Sequence, residues 1–198
     1  MTSETQLTKQ KQLDEIAEEL ANLVQSPLYP YRQAKNYYPV PGEGNPDADV
    51  LFIGEAPGQQ EAKTGRPFVG RSGKFLDQLL ESIGLNRADV FITNIVKDRP
   101  PENRDPSAVE IELYSPLLIR QVKIIQPGVI ATLGRFSMEF ILTLFNIPVQ
   151  DQKISALHGK PLRTVVDGQE LVVLPLFHPA VALYNQSQQV TWNKIFRY

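Results

Sequence analysis

The sequence predicts an α/β fold in which a mainly parallel sheet carries helices on both faces. Short apolar runs of strand length alternate along the chain with stretches whose apolar residues recur at helical spacing. Turns that contain glycine or proline follow several of these runs, as they do where a strand leads into a helix. Alternation of this kind builds parallel strands that are joined by crossover helices.

The first quarter of the chain predicts a helix and then a long ordered loop. Apolar residues between Thr5 and Val24 recur at helical spacing and predict an amphipathic N-terminal helix. Residues 26–49 are rich in proline and tyrosine and show no steady period. Their aromatic content predicts an ordered loop rather than a flexible linker, and long loops inside compact domains are usually functional.

The middle of the chain predicts strands and helices in turn. Buried strands are expected at residues 50–54, 90–96 and 129–133, and helices at 73–84 and 134–144.

Three further elements complete the pattern. A helix should begin with an Asp105 N-cap and Pro106 in its first turn, run to about Ile125 and be disturbed at Pro116. Residues 163–166 and 171–176 flank Asp167-Gly168, which is typical of a hairpin turn. A last helix is expected near Val190.

The composition excludes several kinds of site. The chain has 198 residues, about the size of one domain, and contains no cysteine, which rules out disulfides, thiolate zinc sites, cysteine nucleophiles and iron–sulfur clusters. Its two histidines, His158 and His178, argue against a His-rich metal site. The net charge of −2 gives no global electrostatic case for nucleic acid. No apolar run is long enough to cross a bilayer and the first residues are polar, so we expect a cytoplasmic protein without membrane contact.

Polar residues follow each predicted parallel strand, at the edge of the sheet where ligands bind in α/β folds. Glu55 to Gly58 follow the first strand, and Asn94 ends the second. Gly134-Arg135 and His178-Pro179 follow the later ones. The sequence therefore predicts an active site on this rim.

The glycine-rich segments on the rim each allow two interpretations. Residues 54–58 form a tight turn or a backbone wall that a planar or anionic ligand can approach, but they lack the Gly-Lys-Ser/Thr of a phosphate-binding Walker loop. Residues 65–73 precede a helix N-terminus that could hold a phosphate. Phe68 in that segment would either stack on a base or fill the core.

Two single residues could bind a ligand through hydrogen bonds. The Asn94 side chain has a donor and an acceptor, which suits the edge of a nucleobase, although an asparagine that caps a loop is the alternative. His178 could donate to an anion that develops on a leaving group, although a lone histidine is more often structural. No Ser–His–Asp order or spacing supports a nucleophilic triad.

Five motifs together resemble family 4 uracil-DNA glycosylases over about residues 26–186. They are Gly54-Glu-Ala-Pro-Gly58, Gly65-Arg-Pro-Phe-Val-Gly-Arg-Ser-Gly73, Thr93-Asn-Ile-Val-Lys97, Arg99-Pro-Pro-Glu-Asn-Arg104 and His178-Pro-Ala-Val-Ala-Leu183. The resemblance implies a three-layer α/β/α sandwich with a central, mainly parallel four-stranded sheet. It also implies hydrolysis of the N-glycosidic bond of uracil in DNA, by base flipping and stabilisation of the leaving uracil anion, with no metal or cofactor in the reaction.

The resemblance implies a role for individual residues. Phe68 would stack on the flipped uracil, Asn94 would read its polar edge, and His178 would stabilise the departing anion. Glu55 would line the water site, and Glu61 would help to exclude thymine. The remaining substrate contacts are expected from Gly54, Ala56, Pro57 and Gly58. DNA contacts are expected from Arg71, Ser72, Gly73, Arg135, His158, Pro179, Ala180 and Leu183.

The chain departs from the family pattern in its cysteines. Family 4 enzymes resemble one another in four cysteines that hold a four-iron, four-sulfur cluster, and two of those positions would fall on Asp98 and Tyr114 here. We expect the tyrosine- and proline-rich loop to pack in place of the cluster, with Tyr114 filling part of the space. Position 56, where the wider superfamily often has a water-activating aspartate, is alanine, as in family 4 generally.

Other functions remain open at this point. A glycosylase of the same fold could remove another deaminated base, and a non-catalytic DNA-binding module could retain the scaffold. For the leading interpretation we expect uracil-containing DNA, single- or double-stranded, as the partner of a monomer. We expect one domain over residues 1–198, in which 1–24 form the N-terminal helix and 25–49 the loop that replaces the cluster-binding region.

Overall fold

A computed structural model describes residues 4–149 and 153–184. Its strands are β1 (Glu43–Gly44), β2 (Val50–Gly54), β3 (Phe91–Asn94), β4 (Val129–Leu133), β5 (Leu162–Val166) and β6 (Gln169–Leu176). Its α-helices are α1 (Glu4–Ala21), α2 (Tyr29–Ala34), α3 (Gln59–Thr64), α4 (Arg71–Ser82), α5 (Ala108–Ile125), α6 (Arg135–Leu144), α7 (Ile154–Leu157) and α8 (Pro179–Tyr184). The helix expected near Val190 lies outside the described residues.

The strands form one sheet in the order β1-β3-β2-β4-β6-β5. The four inner strands are parallel, which confirms the predicted parallel core. The edge strands β1 and β5 are antiparallel to their neighbours and extend the sheet to six strands. The predicted hairpin forms β5 and β6, and Asp167 and Gly168 both have positive φ, as a type I′ turn requires. The two-residue strand β1 was not predicted, because so short a segment has no readable period.

Helices cover both faces of the sheet, and this makes the three-layer sandwich. Side chains alternate between faces along a strand. On β2, Phe52 therefore packs with the apolar side chains of α4, whereas Leu51 and Ile53 pack with α1, α5 and α6.

Some element boundaries differ from the predicted ones. The N-cap of α5 is Ser107, not Asp105, because Ser107 and Glu110 form a reciprocal capping box. The helix then continues through Pro116 to Ile125 without a break. The second strand ends at Asn94 rather than Val96. The next two amides, of Ile95 and Val96, both donate towards β2, to the carbonyls of Gly54 and Glu55 at 3.0 Å each, whereas successive residues of a strand point their amides to alternate sides.

The loop at residues 26–49 contains α2 and β1, and it contributes to a buried polar cluster of Ser26, Arg32, Asp98 and Tyr114. Arg32 Nη1 forms an ion pair with Asp98 Oδ2 at 3.2 Å. The Tyr114 hydroxyl donates to Asp98 Oδ2 at 2.6 Å and lies 2.6 Å from Ser26 Oγ. All four side chains are buried.

This polar cluster does not suit an iron–sulfur cluster, whose iron atoms require thiolate ligands. The whole chain has no cysteine. Asp98 and Tyr114 stand at two positions where the resemblance expects cysteines, and their polar atoms are already bonded to each other. The protein therefore has no iron–sulfur cluster, and neutral and charged hydrogen bonds join the loop to the core here.

Candidate active site

A cavity of about 650 Å³ opens at the carboxyl ends of the parallel strands. This is the rim where the sequence predicted the site. The predicted residues that line it are Glu55, Ala56, Pro57, Gly58, Glu61, Phe68, Arg71, Ser72, Asn94, His178 and Ala180.

Asn94 contributes a buried amide to this cavity. The residue ends β3 and is 1% exposed. Its Oδ1 has no hydrogen-bond partner among the described residues, although buried polar side-chain atoms nearly always have one. An unpartnered acceptor that borders a cavity fits a ligand that donates a hydrogen bond to it.

Phe68 forms part of the wall beside Asn94 and also packs in the core. Its ring is 6% exposed and packs with the core cluster that contains Phe52 and Leu76. The same ring lines the cavity, with its centroid 5.8 Å from that of His178. Phe68 is thus a fixed aromatic surface at the cavity wall.

His178 follows β6 directly and is a neutral donor. Its Nδ1 accepts a hydrogen bond from the Ala180 amide at 3.1 Å, so the ring proton lies on Nε2. Burial lowers the pKa of His178 to about 4, against the opposing effect of the Glu61 charge. At neutral pH the cavity therefore contains an uncharged imidazole with an Nε2–H group.

Glu55 follows β2 and is a half-buried carboxyl group. Burial raises its pKa to about 7, the negative charge of Asp105 adds to the rise, and Arg135 opposes it. A carboxyl group with that pKa can exchange protons near neutral pH.

Glu61 has a structural task within the site. Its Oε1 accepts hydrogen bonds from the amides of Val69 at 2.9 Å and Gly70 at 2.8 Å. It thereby fixes the loop between Phe68 and α4. The role of Glu61 in excluding thymine stays a prediction.

The other predicted residues lie around this core of the site. Gly73 is buried, and a Cβ there would lie 1.8 Å from the Phe68 carbonyl oxygen, so the glycine permits the close approach of that loop. His158 accepts from the Phe177 amide at 3.1 Å through Nδ1, and burial lowers its pKa to about 4. Arg135 lies 3.6 Å from Glu139 and 4.0 Å from Asp105. Gly54, Gly73, Arg135, His158 and Pro179 are not among the described residues that line the cavity. The contact predicted for Leu183 depends on a side chain outside the described part of the chain.

Several lining residues had not been predicted individually. Gln59, Gln60, Pro100, Asn103, Arg104 and Asp105 complete the wall. The rigid segment after β3 was expected to form a wall, but its members could not be ranked from their types. Arg104 is held there by a two-point contact with Glu110, at 2.9 and 2.6 Å.

Lys97 does not line the cavity, but it binds the end of the strand that carries Asn94, and this role was not predicted. Its ammonium group is fully buried and contacts the Asn94 carbonyl oxygen at 2.7 Å, Gln121 Oε1 at 2.6 Å and Thr93 Oγ1 at 2.5 Å. Burial lowers the pKa of Lys97 well below its ordinary value. Lys97 thus connects the end of β3, where Asn94 stands, to α5.

The described part of the chain contains neither a membrane-spanning helix nor a metal-binding cluster of side chains. None of its helices is long and apolar enough to span a bilayer. Within the same residues, no group of three or more His, Cys, Asp or Glu side chains could hold a metal ion.

Comparison with known proteins is consistent with the site. The sequence model of the Uracil DNA glycosylase superfamily matches residues 41–197. The Type-4 uracil-DNA glycosylase of Saccharolobus solfataricus is 45% identical over 186 residues, which cover 93% of this chain and 83% of that protein. The Type-4 enzyme of Archaeoglobus fulgidus is 41% identical over 185 residues (93% and 90%), and that of Thermotoga maritima 37% over 183 (92% and 89%). This chain therefore belongs to the uracil DNA glycosylase superfamily and, within it, to the type-4 group, as a member without cysteine.

Proposed function

We propose that this protein removes uracil from DNA by hydrolysing the N-glycosidic bond, the first step of base-excision repair. The observation that carries the proposal is the buried Asn94 Oδ1, which has no partner in the described chain and borders a cavity with Phe68 and His178. The N3–H group of uracil is a donor that such an oxygen can bind. The curated relatives that match most of this chain are named uracil-DNA glycosylases.

The cavity requires the base to leave the duplex. An enzyme cannot reach the glycosidic bond of a stacked base, and extrusion costs a few kcal/mol. Phe68 offers an aromatic face in the cavity, and base–aromatic stacking recovers about 1–3 kcal/mol. The cost of flipping can thus be met within the site.

Cleavage of the N-glycosidic bond releases uracil as an anion. A hydrogen-bond donor that is aimed at the developing charge stabilises the transition state more than the ground state. The Nε2–H group of neutral His178 is such a donor, and its orientation is fixed through the Ala180 amide.

Water must attack the sugar carbon that the base leaves. Glu55 is the candidate group for holding this water and accepting its proton, because its pKa is raised to about 7. Position 56 is alanine and supplies no second carboxylate. Most of the rate enhancement would then come from stabilisation of the anion, with Glu55 orienting and activating the water.

DNA would approach the rim at the N-terminus of α4, with Arg71 and Ser72, and at the start of α8, with Pro179 and Ala180. We propose that the chain acts on this substrate as a single-domain monomer in the cytoplasm. The net charge of −2 means that the attraction to phosphates is local to the rim. Salt should therefore weaken binding modestly.

The experiment is base release from labelled oligonucleotides that carry U:G, U:A or single-stranded uracil, followed by alkaline cleavage. Asn94→Ala is the matched control with reduced activity. No release of uracil from any substrate would refute the proposal and favour a non-catalytic DNA-binding module. An inosine oligonucleotide tested alongside would reveal a broader range of deaminated bases.

A further inference from the structure

The main chain at Phe68 has an uncommon conformation. Its φ is +48°, in the left-handed region that residues with a side chain rarely adopt. Such a conformation is unfavourable for a residue with a side chain, and it persists only where neighbouring groups hold it. The Phe68 ring nevertheless stands at the wall of the base cavity, so whatever holds this backbone also sets the position of the ring.

Arg87 holds that backbone from outside the cavity. Its Nη1 donates to the Phe68 carbonyl at 3.1 Å, and its Nη2 donates to the Pro67 carbonyl. A guanidinium group presents its donors in a fixed planar fork, so two neighbouring carbonyls are bound in one defined orientation. Arg87 lies in a single turn of 3₁₀ helix before β3 and is not among the residues that line the cavity.

Two carboxylates in turn hold Arg87. Glu43 Oε1 accepts from its Nε at 2.8 Å, and Asp77 Oδ1 accepts from its Nη1 at 2.9 Å. Burial would raise the pKa of Glu43, but the hydrogen bonds and charges of Arg66 and Arg87 outweigh it and lower the pKa. Glu43 therefore stays charged at neutral pH, and Arg87 is held from both β1 and α4.

The first turn of α4 also packs against the Phe68 carbonyl. A Cβ on Gly73 would lie 1.8 Å from this oxygen, so the first turn of α4 packs directly against it. The Phe68 carbonyl is thus contacted both by the guanidinium of Arg87 and by the backbone of α4.

We propose that Arg87 is a positioning residue for base release, which acts through Phe68. Arg87 holds the Phe68 ring in the position in which it can stack on the flipped base, and Arg87 itself does not touch the base. This proposal rests on the proposed function, and it predicts a loss of rate per folded molecule rather than a loss of stability alone.

The test measures single-turnover uracil release with purified protein, well below the melting temperature. Arg87→Met should slow release by about tenfold, because the ring loses its fixed position. Arg87→Lys, with a single point donor, should recover only part of the rate. Arg163→Met is the matched control, since Arg163 also pairs with a carboxylate, Glu170 at 2.5 Å, but lies on β5 away from Phe68. It should keep the wild-type rate.

A double-mutant cycle distinguishes positioning from a general structural effect. In a Phe68→Ala background, Arg87→Met should cause little further loss, because the group through which it acts is gone. An equal loss in both backgrounds would overturn the proposal, as would a folded Arg87→Met protein with the wild-type rate. If Arg87→Met does not fold, the same cycle is run with Arg87→Lys, and the same criteria apply. A wild-type protein that releases no uracil would instead overturn the proposed function and the role of Arg87 with it.

Discussion

The backbone of Gly54 lies directly against the side chain of Asn94. The two residues are partners in the register of β2 and β3, and a Cβ on Gly54 would stand 2.4 Å from Asn94 Oδ1. The same Cβ would lie 2.7 Å from Phe68 Cζ. The absence of a side chain at position 54 is therefore what lets the amide and the ring border one cavity.

Gly54→Ala should displace Asn94 or Phe68 and slow uracil release by about 100-fold. The measurement is single-turnover release, with binding of product DNA that carries an abasic site as the control. Abasic DNA has no base to fit, so its affinity should stay near that of the wild type. A Gly54→Ala protein with the wild-type rate would show that the flipped base does not use this cavity.

Asn94→Ala should separate activity from stability. The buried Oδ1 has no partner in the described chain, and such a group costs about 1–3 kcal/mol in the folded state. Its removal should leave the melting temperature unchanged or raise it, while uracil release falls by about 10- to 100-fold. A marked drop in melting temperature would show that the amide is a structural group, and calorimetry on the purified variant decides this.

The pH dependence of kcat/KM should follow Glu55. Its pKa of about 7 means that the carboxylate form grows as the pH rises through neutrality. Below pH 7, kcat/KM should therefore fall by about tenfold per pH unit, which gives the pH profile an acid limb. Glu55→Gln should abolish this acid limb.

Two neighbouring substitutions should move that limb in opposite directions. Asp105 raises the pKa of Glu55 and Arg135 lowers it. Asp105→Asn should therefore shift the limb to lower pH, and Arg135→Gln should shift it to higher pH. An unmoved limb in both variants would mean that another group titrates.

His178→Ala should slow the chemical step by about 100-fold under single-turnover conditions. Because burial holds the pKa of His178 near 4, its protonation should not shape the profile between pH 6 and 8. An effect on DNA affinity alone would argue against stabilisation of the anion.

Tyr114→Phe tests the buried polar cluster. Loss of the hydroxyl leaves Asp98 and Ser26 without a shared partner, at a cost of about 1–3 kcal/mol. The melting temperature should fall by several degrees, as should that of Tyr114→Ala, while the rate of uracil release per folded molecule stays largely intact. Loss of activity at full stability would contradict this assignment.

The sequence predicted those elements that a short stretch of neighbouring residues defines. The bounds of β2 and β4 were predicted correctly, because a buried strand is a short apolar run that ends in a turn. Asn94, Phe68 and His178 could be placed on one rim, because parallel strands end on the same edge of a sheet.

The contacts that shape the site depend on residues far apart in sequence. The hold of Arg87 on Phe68 spans 19 residues, and no local pattern indicates it. The positive φ of Phe68 is imposed by tertiary contacts, since phenylalanine has no preference for that region. The Asp105 cap was wrong because Ser107 competes for the same role and has Glu110 at the spacing of a capping box.

The buried polar cluster has a consequence for folding kinetics. Its Ser26–Tyr114 and Arg32–Asp98 contacts join residues 88 and 66 positions apart. Closure of such long loops is costly until the intervening chain is ordered, so these bonds should form after the main folding barrier has been crossed. Disruption of the cluster should then accelerate unfolding and leave the refolding rate nearly unchanged, so that it governs how long the native state lasts.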